Sequence, residues 1–265
     1  MDTEVAGDGP PPAATTARYL YAVCRGLPPG AVSSVRGIDG RPVELVLHEG
    51  LVAVVSTVDL TAFGEEALRR HLEDLAWLEA TARAHDAVVH AVATQAPTAP
   101  LRFATICFDD DAVRARLGEW HDALSRALDR VEGCNEWSVK VLAPPEQATT
   151  AGRPAGLSGA DYLRLKKAQT ERRADVEEHA TAAALAIHED LARRSRASRR
   201  LPAQDPRLSG HQGTMLLNAA YLVPDADADA FQAALAGLRS DHGDLVLDSR
   251  GPWPPYSFAM LDDEP

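Results

Sequence analysis

Proline fixes where this chain can be regular. Its eighteen prolines fall in clusters, and each cluster ends whatever periodic segment precedes it. The first cluster lies within residues 1–16, a stretch of Pro, Ala, Gly and acid without apolar periodicity, which reads as a disordered arm. Tyr19 to Cys24 is apolar on both alternating faces, as a central strand must be. Gly26 to Pro42 holds four Gly and three Pro, so it is mostly loop. Val43–Leu47 and Leu51–Val58 are β-branched runs around His48-Glu49-Gly50, the pattern of a hairpin. A helix is expected from Gly64 to Ala93, with Leu68, Leu72, Leu75, Ala82, Val89 and Val92 on its apolar side; Pro97 and Pro100 stop it. Leu101–Phe108 follows as a strand, then a helix that Asp109, Asp110 and Asp111 open and Val113, Leu117, Trp120, Leu124 and Leu128 bury. Trp137–Leu142 closes the unit as a strand.

The order β-ββ-α-β-α-β over residues 17–143 predicts an α+β fold, a modified ferredoxin-like domain with a shortened first crossover. Residues 144–159, with three Pro and three Gly, read as a linker. Residues 160–250 form a second, helix-rich α+β domain: a helix to about Arg196, a strand at Met215–Val223, a helix at Ala226–Leu238 and a strand at Asp244–Leu247. Residues 251–265 read as an extended, Pro-rich C-terminal tail.

The net charge of −12 opposes broad attraction to nucleic-acid phosphates or anionic lipid. No apolar run reaches the length of about 20 residues that a membrane span needs. Met1-Asp2-Thr3-Glu4 carries acid where a signal peptide carries base, so a cytoplasmic protein is expected. Cys24, Cys107 and Cys134 are odd in number and lie in or beside apolar runs, which reads as buried thiols rather than a disulfide framework or a zinc site.

Signatures of chemistry fail one by one. Gly156-Leu157-Ser158-Gly159-Ala160 approaches GxSxG but lacks the last Gly and has no feeding strand. No glycine-rich phosphate loop follows a strand. His85 and His90 are five apart on a helix, about 140° around its axis, and cannot chelate one ion together. Asp225, Asp227 and Asp229 lack the Gly and distal Glu of an EF-hand loop and read as helix-opening charges. Neither catalytic residue, metal ligand nor cofactor site is expected. Arg193, Arg194, Arg196, Arg199 and Arg200 cluster near a helix C-terminus, as dipole-complementing charge or as a docking patch for an acidic partner.

Three groups remain as candidate structural or interaction residues. Arg102 sits in a strand with buried neighbours, so its charge is expected to need a carboxylate or carbonyl partner. Arg164, Lys166 and Lys167 lie on a helical stretch, Arg164–His179, too polar to bury a wide face. It is expected to project or to bridge the domains, with Lys167 and Glu171 paired along its surface. Trp253, Tyr256 and Phe258 occupy a tail whose prolines forbid a regular helix or a central strand. Such aromatics dock somewhere, either as a clamp on the protein itself or as part of a partner-binding surface.

The pattern as a whole resembles the gas-vesicle accessory family GvpL/GvpF. The resemblance rests on Tyr19-Leu20-Tyr21-Ala22-Val23, on Gly40-Arg41-Pro42-Val43 with Leu51-Val52-Ala53-Val54-Val55-Ser56, and on His85. It continues through Pro100-Leu101-Arg102-Phe103-Ala104-Thr105 and Glu136-Trp137-Ser138-Val139-Lys140-Val141. Asp161-Tyr162-Leu163-Arg164-Leu165-Lys166-Lys167, Asn218-Ala219-Ala220-Tyr221-Leu222-Val223 and Gly251-Pro252-Trp253-Pro254-Pro255-Tyr256-Ser257-Phe258 complete it. It spans about 240 residues; the long acidic arm at 1–16 departs from it. The resemblance implies two α+β domains with an extended C-terminal segment and no catalysis. It also implies a minor vesicle component acting with the shell protein GvpA and other accessory proteins during nucleation. A shell protein that must keep one face apolar aggregates before assembly, and a soluble acidic partner covering that face by strand addition or helix docking would prevent it. The contrasting expectation is an enzyme or small-ligand domain on the same scaffold, with a pocket around His85 and Arg102.

Overall fold

The computed structural model describes residues 15–28, 30–144, 159–204 and 213–259. They divide into two compact units, the first running to Glu132 and the second from Gly133 to Phe258. The arm before Thr15 and the linker at 145–158 lie outside the described residues, as does most of the GxSxG-like stretch.

The first unit is built on strands β1 (Thr16–Cys24), β2 (Glu44–His48), β3 (Leu51–Asp59) and β4 (Thr98–Cys107), ordered β2-β3-β1-β4 with every neighbour antiparallel. The β2–β3 hairpin turns on Glu49 and Gly50, both at positive φ, the conformation that a two-residue turn matched to strand twist requires. Tyr21 in β1 holds the β1–β2 connection: its hydroxyl accepts from Ile38 N–H at 2.9 Å. Gly37 is obligatory there, because a Cβ would lie 2.1 Å from that hydroxyl.

The helix expected over 64–93 is interrupted. Helix α1 (Leu60–Phe63) precedes α2 (Glu65–His71), and α3 runs from Leu75 to Ala93. Asp74 makes the break, its carboxylate accepting from Ala76 N at 3.0 Å and Trp77 N at 3.3 Å as an N-cap. Leu72 and Leu75 are consequently exposed, and the buried stripe is Thr81, His85, Val88, Val89 and Val92. The next expected helix is also two, α4 (Asp110–Glu119) and α5 (His121–Val131), joined at Trp120. Asp109 caps α4 through Ala112 N at 2.8 Å, and Val113, Leu117, Leu124 and Leu128 are buried as the period predicts. Helix α3 packs on β1 and β4, α4 on β2, β3 and β4, and α5 on β4.

The second unit contains β5 (Cys134–Leu142), α6 (Gly159–Arg193), β6 (Ala197–Arg200), β7 (Met215–Pro224), α7 (Ala228–Asp241), β8 (Val246–Trp253) and α8 (Tyr256–Ala259). Its sheet is antiparallel with order β6-β7-β5-β8. Strand β5 therefore does not close the first sheet, as the sequence pattern suggests; it is a central strand of the second, between β7 and β8. Its alternation explains the placement. Trp137, Val139 and Val141 face a core shared with Tyr221, Ala219 and Leu217 of β7, with Ala180, Ala184, Ile187 and Leu191 of α6 and with Phe231 and Leu235 of α7. Arg199 and Arg200 lie in β6, not beyond a longer helix. The last strand runs to Trp253, so among the described residues the C-terminal segment begins as an edge strand and passes into a helical turn rather than an extended tail. An edge tolerates Pro252, which has no N–H to give a ladder.

Candidate interaction surface

The face of the second sheet opposite its helices carries Glu136, Ser138 and Lys140 of β5, the residues that alternate with the core positions. Glu136 is 8% exposed, a carboxylate withdrawn from water. Its oxygens are satisfied by the C-terminal segment: Oε2 accepts from Ser257 N–H at 2.7 Å and Oε1 from the Ser257 hydroxyl at 2.6 Å. Arg199 of β6 donates to Ser257 O at 3.2 Å. Burial pushes the Glu136 carboxyl up, while the Ser257 donors and the Arg199 charge pull it back.

Between Glu136 and Ser138 the β5–β8 register slips, with Gly251 and Pro252 bulging opposite Trp137. Gly251 has φ +147, and a Cβ there would fall 2.9 Å from Glu136 O and 3.0 Å from the Trp137 ring. Only glycine fits between that backbone and that ring. Past the bulge, Pro254, Pro255 and Phe258 are buried, Tyr256 and Ser257 half-buried, and Trp253 is 41% exposed. Of the three tail aromatics, Phe258 is thus an anchor, Tyr256 intermediate and Trp253 presented to solvent. Glu136 and Ser257, quoted above only within longer stretches, are the pair that joins the segment to β5. The sequence signal for the pair is a lone acid in a strand position that a half-buried sheet fills with apolar or neutral side chains.

Arg164, Lys166 and Lys167 are all exposed on α6. From Leu163 to His179 only Ala168 is even half-buried, and Lys167 Nζ lies 3.8 Å from Glu171 along the helix surface. Burial of α6 begins at Ala180.

Arg102 does not sit in a regular stretch of strand. Register jumps from Leu20↔Thr105 to Ala22↔Pro100, so residues 101–104 bulge out of β4 opposite Tyr21, and Arg102 is exposed on that bulge. The bulge is pinned from beneath: Ala104, at φ 63, donates its N–H to Tyr19 Oη at 3.1 Å, and the Thr105 hydroxyl donates to Arg102 O at 2.7 Å. Tyr19 Oη also lies 3.0 Å from His85 Nδ1. The ring centroids of Phe63 and His85 are each 5.7 Å from that of Tyr19, and Trp77 packs 5.4 Å from Phe63. His85 is therefore enclosed by aromatic rings, whereas Arg102 is exposed on the bulge.

Cys24, Cys107 and Cys134 are free and buried; burial pushes the Cys24 thiol up to about 12, far from a reactive thiolate. Asp225 and Asp227 form a short 3-10 turn before α7, with Asp225 accepting from Asn135 Nδ2 at 2.6 Å. Among the described residues, no helix is long and apolar enough to cross a membrane.

Residues 17–260 match the family model described as gas vesicle synthesis protein GvpL/GvpF. Over 252 residues the chain is 41% identical to gas vesicle protein L of Streptomyces sp. (strain CB03234), covering 93% of this chain and 94% of that one. Gas vesicle protein F of the same strain is 29% identical over 255 residues, covering 91% and 98%. The crystal structure of GvpF from Anabaena sp. PCC7120 superposes with a TM-score of 0.66 at 18% identity, over 94% of this chain and 98% of that one. GvpF from Microcystis aeruginosa gives 0.63 at 21% identity, over 92% and 99%. Those two likenesses establish that the α+β fold is shared.

Proposed function

The chain belongs to the gas vesicle synthesis protein GvpL/GvpF family, and from that premise we propose that it binds the gas-vesicle shell protein GvpA and keeps it from aggregating until a vesicle nucleates. In this reading it works without catalysis in the cytoplasm and on the vesicle, alongside other accessory proteins. The observation that carries the reading is the C-terminal segment. Phe258, Pro254 and Pro255 hold it in place, the Glu136–Ser257 hydrogen bonds fix its register, and Trp253 is left 41% exposed. A pre-ordered segment displaying a large apolar ring binds without the full entropic cost of ordering itself. An apolar shell surface, or a strand edge seeking a partner, is what such a ring covers.

Co-expression with GvpA tests this. Trp253→Ser, at a half-exposed position, should move GvpA from the soluble to the aggregated fraction while leaving the variant's own melting midpoint nearly unchanged. GvpA that stays soluble with the variant removes the C-terminal segment from the contact. GvpA that aggregates equally with and without the wild-type chain refutes the protective role.

A further inference from the structure

The first half of α6 carries an apolar-containing side that stands exposed: from Leu163 to His179 only Ala168 is even half-buried. At about 100° per residue, Tyr162, Leu165, Gln169, Arg172 and Val176 fall in one sector about 80° wide. That sector continues the line of Ala180, Ile187 and Leu191, which the second unit buries. Leu165 is 44% exposed and Val176 69%. The stretch from Gly159 to His179 is about 30 Å of helix. Its backbone is satisfied internally, but most helical stability in proteins comes from packing an amphipathic face.

Charge says what covers it. Arg164, Lys166 and Lys167 make a basic block at the start of the stretch, and Asp175, Glu177 and Glu178 make an acidic block at its end; all six are exposed. Two parallel copies would set like charge against like. Two antiparallel copies set each basic block against the other's acidic block. In the register that centres the pair between residues 170 and 171, Leu165 meets Val176 of the other copy, Tyr162 meets His179 and Gln169 meets Arg172. These positions follow the alternating three- and four-residue spacing of a helix-pair seam. The polar Gln169–Arg172 layer at the centre costs affinity and fixes register, the use to which coiled coils put a buried polar residue.

We infer that the protruding half of α6 is a self-association surface, which pairs antiparallel with the same helix of a second copy of this chain. The contact is separate from the C-terminal segment, and its test involves no shell protein, so the two readings fail independently. With so few apolar pairs the dimer is weak, concentration-dependent and weakened by salt.

Sedimentation velocity on the full chain decides it, with two charge-block variants. R164E/K166E/K167E makes the stretch acidic at both ends, and D175K/E177K/E178K makes it basic at both ends. The wild-type chain should sediment increasingly as a dimer as concentration rises at low salt. Each variant alone should remain monomeric, and an equimolar mixture of the two should dimerise, since every block then faces its opposite. Circular dichroism before mixing verifies that both variants keep the wild-type helix content, as changes at exposed positions should allow. A wild-type chain that stays monomeric throughout overturns the inference. So do single variants that dimerise like wild type, or folded variants whose mixture fails to associate.

Discussion

His85 titrates out of its usual range because it is buried. Enclosure by Tyr19, Tyr21 and Phe103 holds its pKa down to about 4, with Asp86 a small opposing influence. The hydrogen bonds are compatible with the neutral ring. Tyr19 Oη accepts from Ala104 N–H and lies 3.0 Å from His85 Nδ1, which in the neutral ring can accept the Tyr19 proton. The unfolded chain takes up this proton near pH 6.5, whereas the fold resists it until about 4. Stability from this residue is therefore complete above pH 6.5 and is lost as pH falls toward 4, by about 3 kcal/mol. His85→Gln keeps an acceptor for Tyr19 but removes the titration. The wild-type advantage in chemical denaturation should shrink by about that amount between pH 7 and pH 4; parallel stability curves would show that His85 is not the group responsible. His85 is recognisable in the sequence as an oddity, but its partner is not, because Tyr19 lies far from it along the chain.

At the scale of elements, what was legible is what local pattern controls. Apolar period placed β1, the β2–β3 hairpin, β7 and the buried stripe of α4 and α5 within a few residues of where they lie. It misread the long helix because Asp74 looks like one more residue of a polar face, although its carboxylate ends one helix and starts another. It placed β5 in the wrong sheet because alternation reveals a half-buried strand and says nothing about which neighbours it pairs with. The C-terminal segment shows the same division. Its prolines excluded a central strand, yet the Gly251 bulge and the Glu136 anchor depend on residues more than a hundred positions away. Removing Pro254–Pro265 strips Glu136 of its Ser257 donors and exposes the site that Phe258 fills, a side chain whose burial is worth roughly 1.5–3 kcal/mol. Calorimetry should show the melting midpoint falling by several degrees, at roughly 2–4 °C per kcal/mol. An unchanged midpoint would mean that the segment rests on the sheet without stabilising it.

At the scale of the whole molecule, acid outnumbers base by 39 to 27. The excess keeps copies apart in general while the opposed blocks of α6 bring one pair of surfaces together. Neutralisation removes the general repulsion. With an isoelectric point of about 5.2, solubility should pass through a minimum near that pH and recover on either side. His85 is meanwhile losing its contribution over the same acid range, so turbidity near pH 5 should rise more steeply on heating than at pH 8. Turbidity that is flat across pH 4–8 would show that net charge does not govern association.

The place of β5 in its sheet has a consequence in time. Both of its neighbours, β7 and β8, are made after it. During translation β5 leaves the ribosome with an apolar face and two unpaired edges. Roughly a hundred further residues must be added before β8 exists, on the order of 5–20 s at ordinary elongation rates. For that interval the nascent chain resembles the aggregation-prone client proposed for the finished one. Synonymous codons that slow elongation between Leu142 and Val246 would lengthen the exposure, so the yield of folded protein depends on the speed at which the chain is read as well as on what it encodes.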